Sequence, residues 1–186
     1  MKRMVIALSA ALLLTGCGAG TEADRAETIR ETYAAAQGCS ARAEVAAARE
    51  DETLRFTLDI EKNGDGTHLT VVEPEALAGI GVTVSGDDLS LRYDGIVLDA
   101  GSADTEISAV NAFDIVWNAI VHGWVVERDA ARFCFETERG DKRLRVAVWF
   151  DEANRPTRAE IEDEGKILSE IRFTNFNLYG TINKIA

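Results

Sequence analysis

The sequence predicts a mostly β fold with helices, of the α+β class, in which a curled antiparallel sheet of about ten to eleven strands forms an unclosed β-barrel. Apolar and polar residues alternate with period two over most of the chain, which is typical of strands with one wet and one dry face. Short turns rich in Gly, Asn and Asp separate these stretches. Two segments have helical spacing instead: an N-terminal helix and a central apolar plug helix. A sheet with this many strands has to curl, and curling encloses an apolar interior.

The first residues have the composition of a bacterial lipoprotein signal peptide. Two basic residues precede an apolar run over residues 5–14, which ends in the lipobox Leu14-Thr15-Gly16-Cys17. The run is shorter than the ~20 apolar residues that span a bilayer. We therefore expect residues 1–16 to be a signal peptide and Cys17 to be the lipid attachment site. A plain secretory signal that happens to contain a cysteine is the alternative.

This start predicts the organisation of the rest of the chain. Residues 17–20 form a short lipidated tether, and residues 21–186 form a single domain close to the membrane. The expected location is the extracytoplasmic face of the cell membrane, or of an outer membrane if the organism has one. Two acyl chains give stable anchoring where one does not, which suits a diacylglyceryl group on Cys17.

The charge of the chain restricts its partners. Its 186 residues include 20 Lys and Arg against 32 Asp and Glu, for a formal net charge of −12. Such an acidic domain repels nucleic-acid phosphates and anionic lipid head groups. We expect no nucleic-acid partner, and we expect the membrane contact to come from the N-terminal lipid.

The N-terminal helix is predicted over about residues 22–37. Thr21 and Asp24 have the spacing of an N-terminal cap, and Gly38 supplies the stop. The predicted strands follow this helix. In the last of them, the alternation predicts that Ile167 and Ile171 both face inward. The predicted strands lie around residues 41–47, 54–61, 69–73, 82–84, 89–91, 96–98, 132–136, 143–150, 157–162 and 167–173.

The plug helix is predicted within residues 107–122, where apolar side chains surround the helical axis. A helix that is apolar on most sides is buried on most sides. Together with the inward positions of the strands, it would line an apolar cavity. The candidate cavity residues are Leu54, Phe56, Leu58, Leu89, Leu91, Phe113, Trp117, Ile120, Val146, Val148, Phe150, Ile171 and Phe173. An ordinary packed core is the alternative.

Sites for other chemistry are weakly indicated. Cys39 and Cys134 could form a disulfide outside the cytoplasm, or could be two isolated thiols. Cys39 has the parity of inward-facing residues of its strand, whereas Cys134 has the parity of outward-facing ones. His68 and His122 have no second His or Cys at ligand spacing, so we expect no metal site. No catalytic motif or cofactor-binding motif is present, and we expect no cofactor and no enzyme activity.

Several strand and turn segments resemble the LolA/LolB-like lipoprotein-sorting family, and more closely the small Gram-positive-type lipoproteins with that fold, including the germination lipoprotein type. The resemblance covers roughly residues 21–179. The segments that carry it are Leu89-Ser90-Leu91-Arg92-Tyr93-Asp94-Gly95, Trp149-Phe150-Asp151, Arg155-Pro156-Thr157-Arg158-Ala159-Glu160-Ile161 and Ile171-Arg172-Phe173-Thr174-Asn175-Phe176.

The resemblance implies an unclosed barrel that binds lipid or lipoprotein acyl chains without catalysis. We therefore expect an acyl chain or lipid as the ligand. The alternative is a protein-interaction module with a packed core, which holds or activates a cell-envelope enzyme. Open sheet edges and an exposed Trp149 motivate this alternative, because strand edges invite strand addition by a partner.

Overall fold

The computed structural model of the protein describes residues 19–49, 52–102 and 107–180. The predicted signal peptide of residues 1–16 and the predicted lipid attachment site Cys17 lie outside the described residues. Within those three ranges, no helix is both long and apolar enough to cross a membrane.

In the described ranges the chain forms two α-helices, one short 3-10 helix and eleven strands. The 3-10 helix, Glu75–Leu77, lies between β3 and β4. The other elements are α1 (Ala19–Ala35), β1 (Gly38–Arg49), β2 (Glu52–Asn63), β3 (Gly66–Glu73), β4 (Gly81–Ser85), β5 (Asp88–Tyr93), β6 (Ile96–Ser102), α2 (Ala112–His122), β7 (Trp124–Arg128), β8 (Arg132–Arg139), β9 (Lys142–Phe150), β10 (Pro156–Asp163) and β11 (Lys166–Tyr179).

The strands make one antiparallel sheet in the order β6-β5-β4-β3-β2-β1-β11-β10-β9-β8-β7. Each hairpin pairs neighbours in sequence, and β1 joins the two halves by pairing with both β2 and β11. The sheet ends at β6 on one side and at β7 on the other, so it is open. This confirms the predicted unclosed antiparallel sheet with an N-terminal and a central helix.

Strand β1 shows which face of the sheet is inside. Ala43 pairs with Leu58 and Phe173, and Val45 pairs with Phe56 and Ile171. Ala43 and Val45 are buried at 0% and 2% exposure. The face that they share with their partners is the concave, apolar face, and both helices lie on it.

Both helices have boundaries that differ from the prediction. Helix α1 begins at Ala19, so two residues of the predicted tether are helical. Ala19 favours the helix more than any other residue type would, and Gly20 after it costs only about 1 kcal/mol relative to alanine. Helix α2 begins only at Ala112, because the Asn111 side chain accepts a hydrogen bond from the Ser108 N–H at 2.9 Å and stabilises a turn instead.

Two bulges in β11 change which of its residues face inward. Ser169 pairs with Ile161 and Ile167 pairs with Glu162, so Leu168 is an extra residue on that strand. This bulge makes the inward prediction for Ile167 wrong: its side chain is 50% exposed. The second bulge, at Thr174, lies between the pairs made by Phe173 and Asn175.

The two described cysteines are free and lie on opposite faces of the sheet. Cys39 shares the concave face with Val45, whereas Cys134 lies between the concave residues Phe133 and Phe135 and faces the convex side. A disulfide between them, one of the two alternatives open from the sequence, is not formed because the sheet itself separates the two sulfurs.

Both thiols should be unreactive in the folded protein, since each residue is 0% exposed and burial raises the pKa of the Cys39 thiol to about 12. In a Cys17→Ser chain, we expect an alkylating reagent to modify neither thiol at neutral pH and both after unfolding. Mass spectrometry of the alkylated chain measures this. A non-reduced chain two mass units lighter than the reduced chain would contradict it.

Candidate functional site

Helix α2 fills one half of the concave face. It packs against β8, β9, β10 and β11, and eight of its eleven residues are buried. Beneath it lie Val146, Val148, Phe150 and Ile171, which are between 0% and 4% exposed. The helix therefore acts as a plug that is part of the core.

Aromatic rings close the space between the two helices and the sheet. Tyr33 of α1 lies 5.3 Å from Trp117 and 6.3 Å from Phe150, measured between ring centroids. Phe113 lies 6.2 Å from Trp117 and 6.3 Å from Phe173. Centroid distances of this size are those of aromatic rings in contact, so these side chains pack against one another.

A polar contact fixes α2 against the inner face of the sheet. The Lys62 ammonium donates hydrogen bonds to Asp114 Oδ1 at 2.8 Å and to Thr67 Oγ1 at 3.0 Å. The Thr67 hydroxyl donates to the same carboxylate oxygen at 2.7 Å, and the ammonium lies 5.8 Å from the Trp117 ring centre. The Lys62 and Asp114 side chains are only 20% and 11% exposed, so this contact is shielded from water.

Helix α1 is fixed to the loops at one end of the sheet. The Arg25 guanidinium donates to Asn154 Oδ1 at 2.9 Å and to the Asp151 carbonyl at 2.8 Å, and it also bonds the Ala130 carbonyl. The Tyr33 hydroxyl donates to the Asn154 carbonyl at 3.0 Å. These bonds reach two different turns, so α1 cannot move away without breaking several of them.

The other half of the concave face holds a hollow of about 490 Å³. Its walls are the inner face of β1 and β2, the turn before α2, and the bulge in β11. This volume falls within the ~300–1,000 Å³ typical of small-molecule sites. We call it the concave hollow; it is lined by Ala47, Ala48, Arg49, Leu54, Phe56, Ile107, Ser108, Ala109, Val110, Lys142 and Leu168.

The two charged side chains that line the concave hollow are both cationic. Arg49 ends β1, and Lys142 begins β9, where its ammonium also lies 3.1 Å from Asp163. Both residues are exposed, so their charged ends are at the mouth rather than in the apolar interior. The hollow thus has an apolar wall and a basic rim.

A larger groove of about 620 Å³ has a different chemistry. It lies beside Pro74 and includes the carboxylates of Glu44, Glu73 and Glu170 and the guanidinium of Arg172, which bonds Glu170 at 2.9 Å. Charged walls of this kind do not favour a hydrocarbon chain. The concave hollow is therefore the better candidate for an apolar ligand.

The described residues contain no cluster of three or more His, Cys, Asp or Glu side chains that could hold a metal ion. Burial raises the pKa of the Cys39 thiol, whereas a nucleophilic thiol needs a lowered pKa. Burial likewise raises the pKa of the Tyr33 hydroxyl well above its usual value.

No protein-family model matches the chain, and no curated protein matches its sequence. Several solved structures are similar to it. A DUF1329 family protein from Desulfovibrio piger has a TM-score of 0.51 and 12% identity, with 86% of this chain and 92% of that chain covered. A LolA superfamily protein from Nitrosomonas europaea has a TM-score of 0.48 and 13% identity, with 82% and 93% covered. A chain from the complex of the CwlD amidase with the GerS lipoprotein of Clostridioides difficile has a TM-score of 0.42 and 14% identity, with 94% and 99% covered.

At these identities the similarity concerns the fold alone. An open antiparallel sheet with an N-terminal helix and a second helix on its concave face is the architecture that the resemblance in the sequence implies. The chain shares its fold with the DUF1329 family protein, and its open sheet with two helices agrees with the LolA-like architecture expected from the sequence.

Within this fold, the predicted cavity residues divide into three groups. Leu54 and Phe56 line the concave hollow. Leu89 and Leu91 of β5 are half-buried, and they face inward beside Val84 and Val82 rather than towards the hollow. The remaining nine lie in or against the core around α2: Leu58, Phe113, Trp117, Ile120, Val146, Val148, Phe150, Ile171 and Phe173.

The sequence alternation did not identify three other contributors to the site. Leu168 lines the hollow because of the bulge in β11, which shifts its side chain out of the regular alternation. Lys62 is an inward-facing charge on β2, and its partner Asp114 belongs to the same helix that was predicted only from its apolar residues. Two signals in the sequence could have indicated this contact. Lys62 directly follows a predicted strand and is in phase with its inward residues, and Asp114 is a carboxylate within an apolar helix.

The contact between Lys62 and Asp114 should show strong coupling in a double-mutant cycle. Asp114→Leu alone leaves a shielded ammonium without its carboxylate, and we expect it to cost about 2–3 kcal/mol of unfolding free energy. Lys62→Met alone should cost a similar amount, because it leaves the carboxylate unpaired. The double variant should lose less than the sum of the two, as measured by urea unfolding. Additive losses would contradict the coupling.

Proposed function

We propose that this protein is a non-catalytic, lipid-anchored lipoprotein of the extracytoplasmic membrane face that binds an acyl chain in the concave hollow. In this proposal residues 1–16 are a signal peptide, Cys17 carries the lipid, and residues 21–186 are the binding domain. The observation that carries the proposal is the apolar hollow left open where α2 does not cover the sheet.

The walls of the hollow suit a hydrocarbon. Leu54, Phe56 and Leu168 are only half-buried although they lie on the inner side, so binding an acyl chain would remove more of their apolar surface from water. Each buried CH₂ group of the ligand contributes about 0.8 kcal/mol. Ala47 on β1 has a small side chain and leaves depth beside these residues.

The rim of the hollow suits an anionic head group. Arg49 and Lys142 are placed where the polar end of a bound amphiphile would emerge. A guanidinium and an ammonium can each donate charge-assisted hydrogen bonds to a carboxylate or a phosphate. The proposed ligand is therefore an acyl chain with a negatively charged head, although the domain as a whole is acidic.

Displacement of a fluorescent fatty acid by palmitate tests the proposal. Leu54→Trp places an indole in the hollow, and we expect it to weaken palmitate binding at least tenfold, which corresponds to about 1.4 kcal/mol. Ile167→Trp is the matched control, because it adds the same bulk at a side chain that is 50% exposed and does not line the hollow. The control should bind as the parent protein does.

The head-group assignment is tested separately. Arg49→Gln/Lys142→Gln should weaken binding of palmitate and of a single-chain lipid phosphate while leaving the neutral alcohol hexadecanol unchanged. Binding of hexadecanol but no preference for anions would reject the head group and keep the hollow. Absence of binding for all three ligands in the parent protein would reject the acyl-binding function itself.

A second candidate function is supported by the edge strand β6. All seven of its residues are exposed, including Ile96, Val97 and Leu98 at 61%, 64% and 56%. An apolar edge strand with free backbone groups can be extended by a strand from another protein. The protein would then hold an envelope protein, in addition to or instead of a lipid.

Trp149, which was expected to be exposed for such a contact, is half-buried between the guanidinium groups of Arg132 and Arg158.

A crosslinking experiment separates the two candidates. With a photo-crosslinker at Asp99, we expect an envelope protein to be captured in the producing cell, and Val97→Lys/Leu98→Lys should abolish the capture, since edge charges oppose strand addition. Ile167→Lys on an interior strand is the control and should leave it intact. Capture that is indifferent to the charges on β6 would reject strand addition at this edge.

A further inference from the structure

The opposite edge of the sheet carries an exposed tryptophan beside α1. Trp124 begins β7 and is 61% exposed, and Val126 is 44% exposed. A shallow groove of about 350 Å³ separates this strand from the helix. Its lining is Ala26, Glu27, Arg30, Trp124, Val125 and Arg128.

Helix α1 determines where this edge lies relative to the N-terminal segment. The Arg30 guanidinium donates a hydrogen bond to the Gly123 carbonyl at 2.5 Å, directly before Trp124 in the chain. Because α1 is also bonded to the loops through Arg25, it forms one rigid unit with β7. The position of the start of α1 thus fixes the position of Trp124.

The start of α1 is close to the proposed lipid. Only Gly18 separates Cys17 from Ala19, and the two steps of the chain between them can span no more than ~7 Å. From Ala19 to Arg30 the helix rises about 16 Å. Arg30 and the neighbouring Trp124 therefore lie within roughly 25 Å of the acylated sulfur, a distance that permits contact with the bilayer surface when α1 lies along it.

We propose that the β7 edge, formed by Trp124 and Val126 with Arg30 and Arg128 beside them, docks on the surface of the bilayer that holds the lipid anchor. This proposal rests on the anchoring at Cys17 that is part of the proposed function. An indole inserts at the head-group level, where its apolar ring and polar N–H are both accommodated. The two guanidinium groups can donate to lipid phosphates, although Glu27 lines the same groove and lies 3.7 Å from the Arg30 guanidinium.

Trp124 can report on its own insertion. In the acylated full-length protein on phosphatidylcholine vesicles, we expect brominated lipid to quench tryptophan fluorescence, and Trp124→Phe should remove most of that quenching. Trp117 is buried in the core at 9% exposure, and Trp149 is covered by two guanidinium groups, so neither should be quenched strongly.

An equally exposed tryptophan on the other edge is the matched control. In the Trp124→Phe background, Ile96→Trp puts an indole on β6, and we expect it to remain unquenched. Quenching at both edges, or none at either, in protein whose mass shows acylation at Cys17 would overturn the docking surface while leaving the anchor intact. Full-length protein without an acyl mass on Cys17 would overturn the anchor and the docking surface together, whereas binding of palmitate in the hollow is measured independently of both.

Discussion

The contact between Lys62 and Asp114 determines how the rest of the molecule is arranged. Helix α2 is apolar on most sides, so hydrophobic burial alone gives it little preference for one rotation or one depth over another. The single carboxylate in its first turn gives it that preference, because the inner face of β2 presents one ammonium at hydrogen-bond distance. The location of the carboxylate near the helix N-terminus is itself favourable, since the helix dipole is positive there. A buried ion pair can select one arrangement while adding little net stability. Here the arrangement that it selects is the position of α2 on the sheet.

The position of the plug decides which half of the concave face remains open. With Asp114 held at Lys62, the rings of Phe113 and Trp117 meet Tyr33 and the strands β9 to β11, and that half becomes solid core. The residues before the helix form a turn held by Asn111, and a turn covers less area than a helix would. The concave hollow is the space that this turn leaves over Leu54 and Phe56. The packed core and the concave hollow therefore both follow from the position of α2.

Sequence alternation was sufficient for ten of the eleven strands and for the existence of both helices, because period two and period 3.6 are set by local geometry. It missed β7, where Trp124, Val125 and Val126 are consecutive apolar residues without alternation. It failed where a local irregularity changes the direction of a side chain. The bulge at Leu168 exposes Ile167 and turns its neighbour towards the hollow, and no composition rule indicates where such an extra residue falls. It also could not show that nine of the thirteen candidate cavity residues would lie in or against the packed core, since core and cavity walls have the same amino acids. The opposite alternation of Cys39 and Cys134, by contrast, correctly indicated opposite faces.

The two halves of the sheet differ in how firmly they are held, and this difference bears on binding. Strands β8 to β11 are covered inside by α2, and outside Trp149 is enclosed by Arg132 and Arg158. Strands β5 and β6 have no buried residue, and among the strands that the structure describes it is β4 that joins them to the rest of the sheet. Segments with few buried apolar contacts open at lower free energy than the core does. A partner strand that paired with β6 would add the missing contacts to the folded state, and its binding would stabilise the weaker half without requiring the plug helix to move.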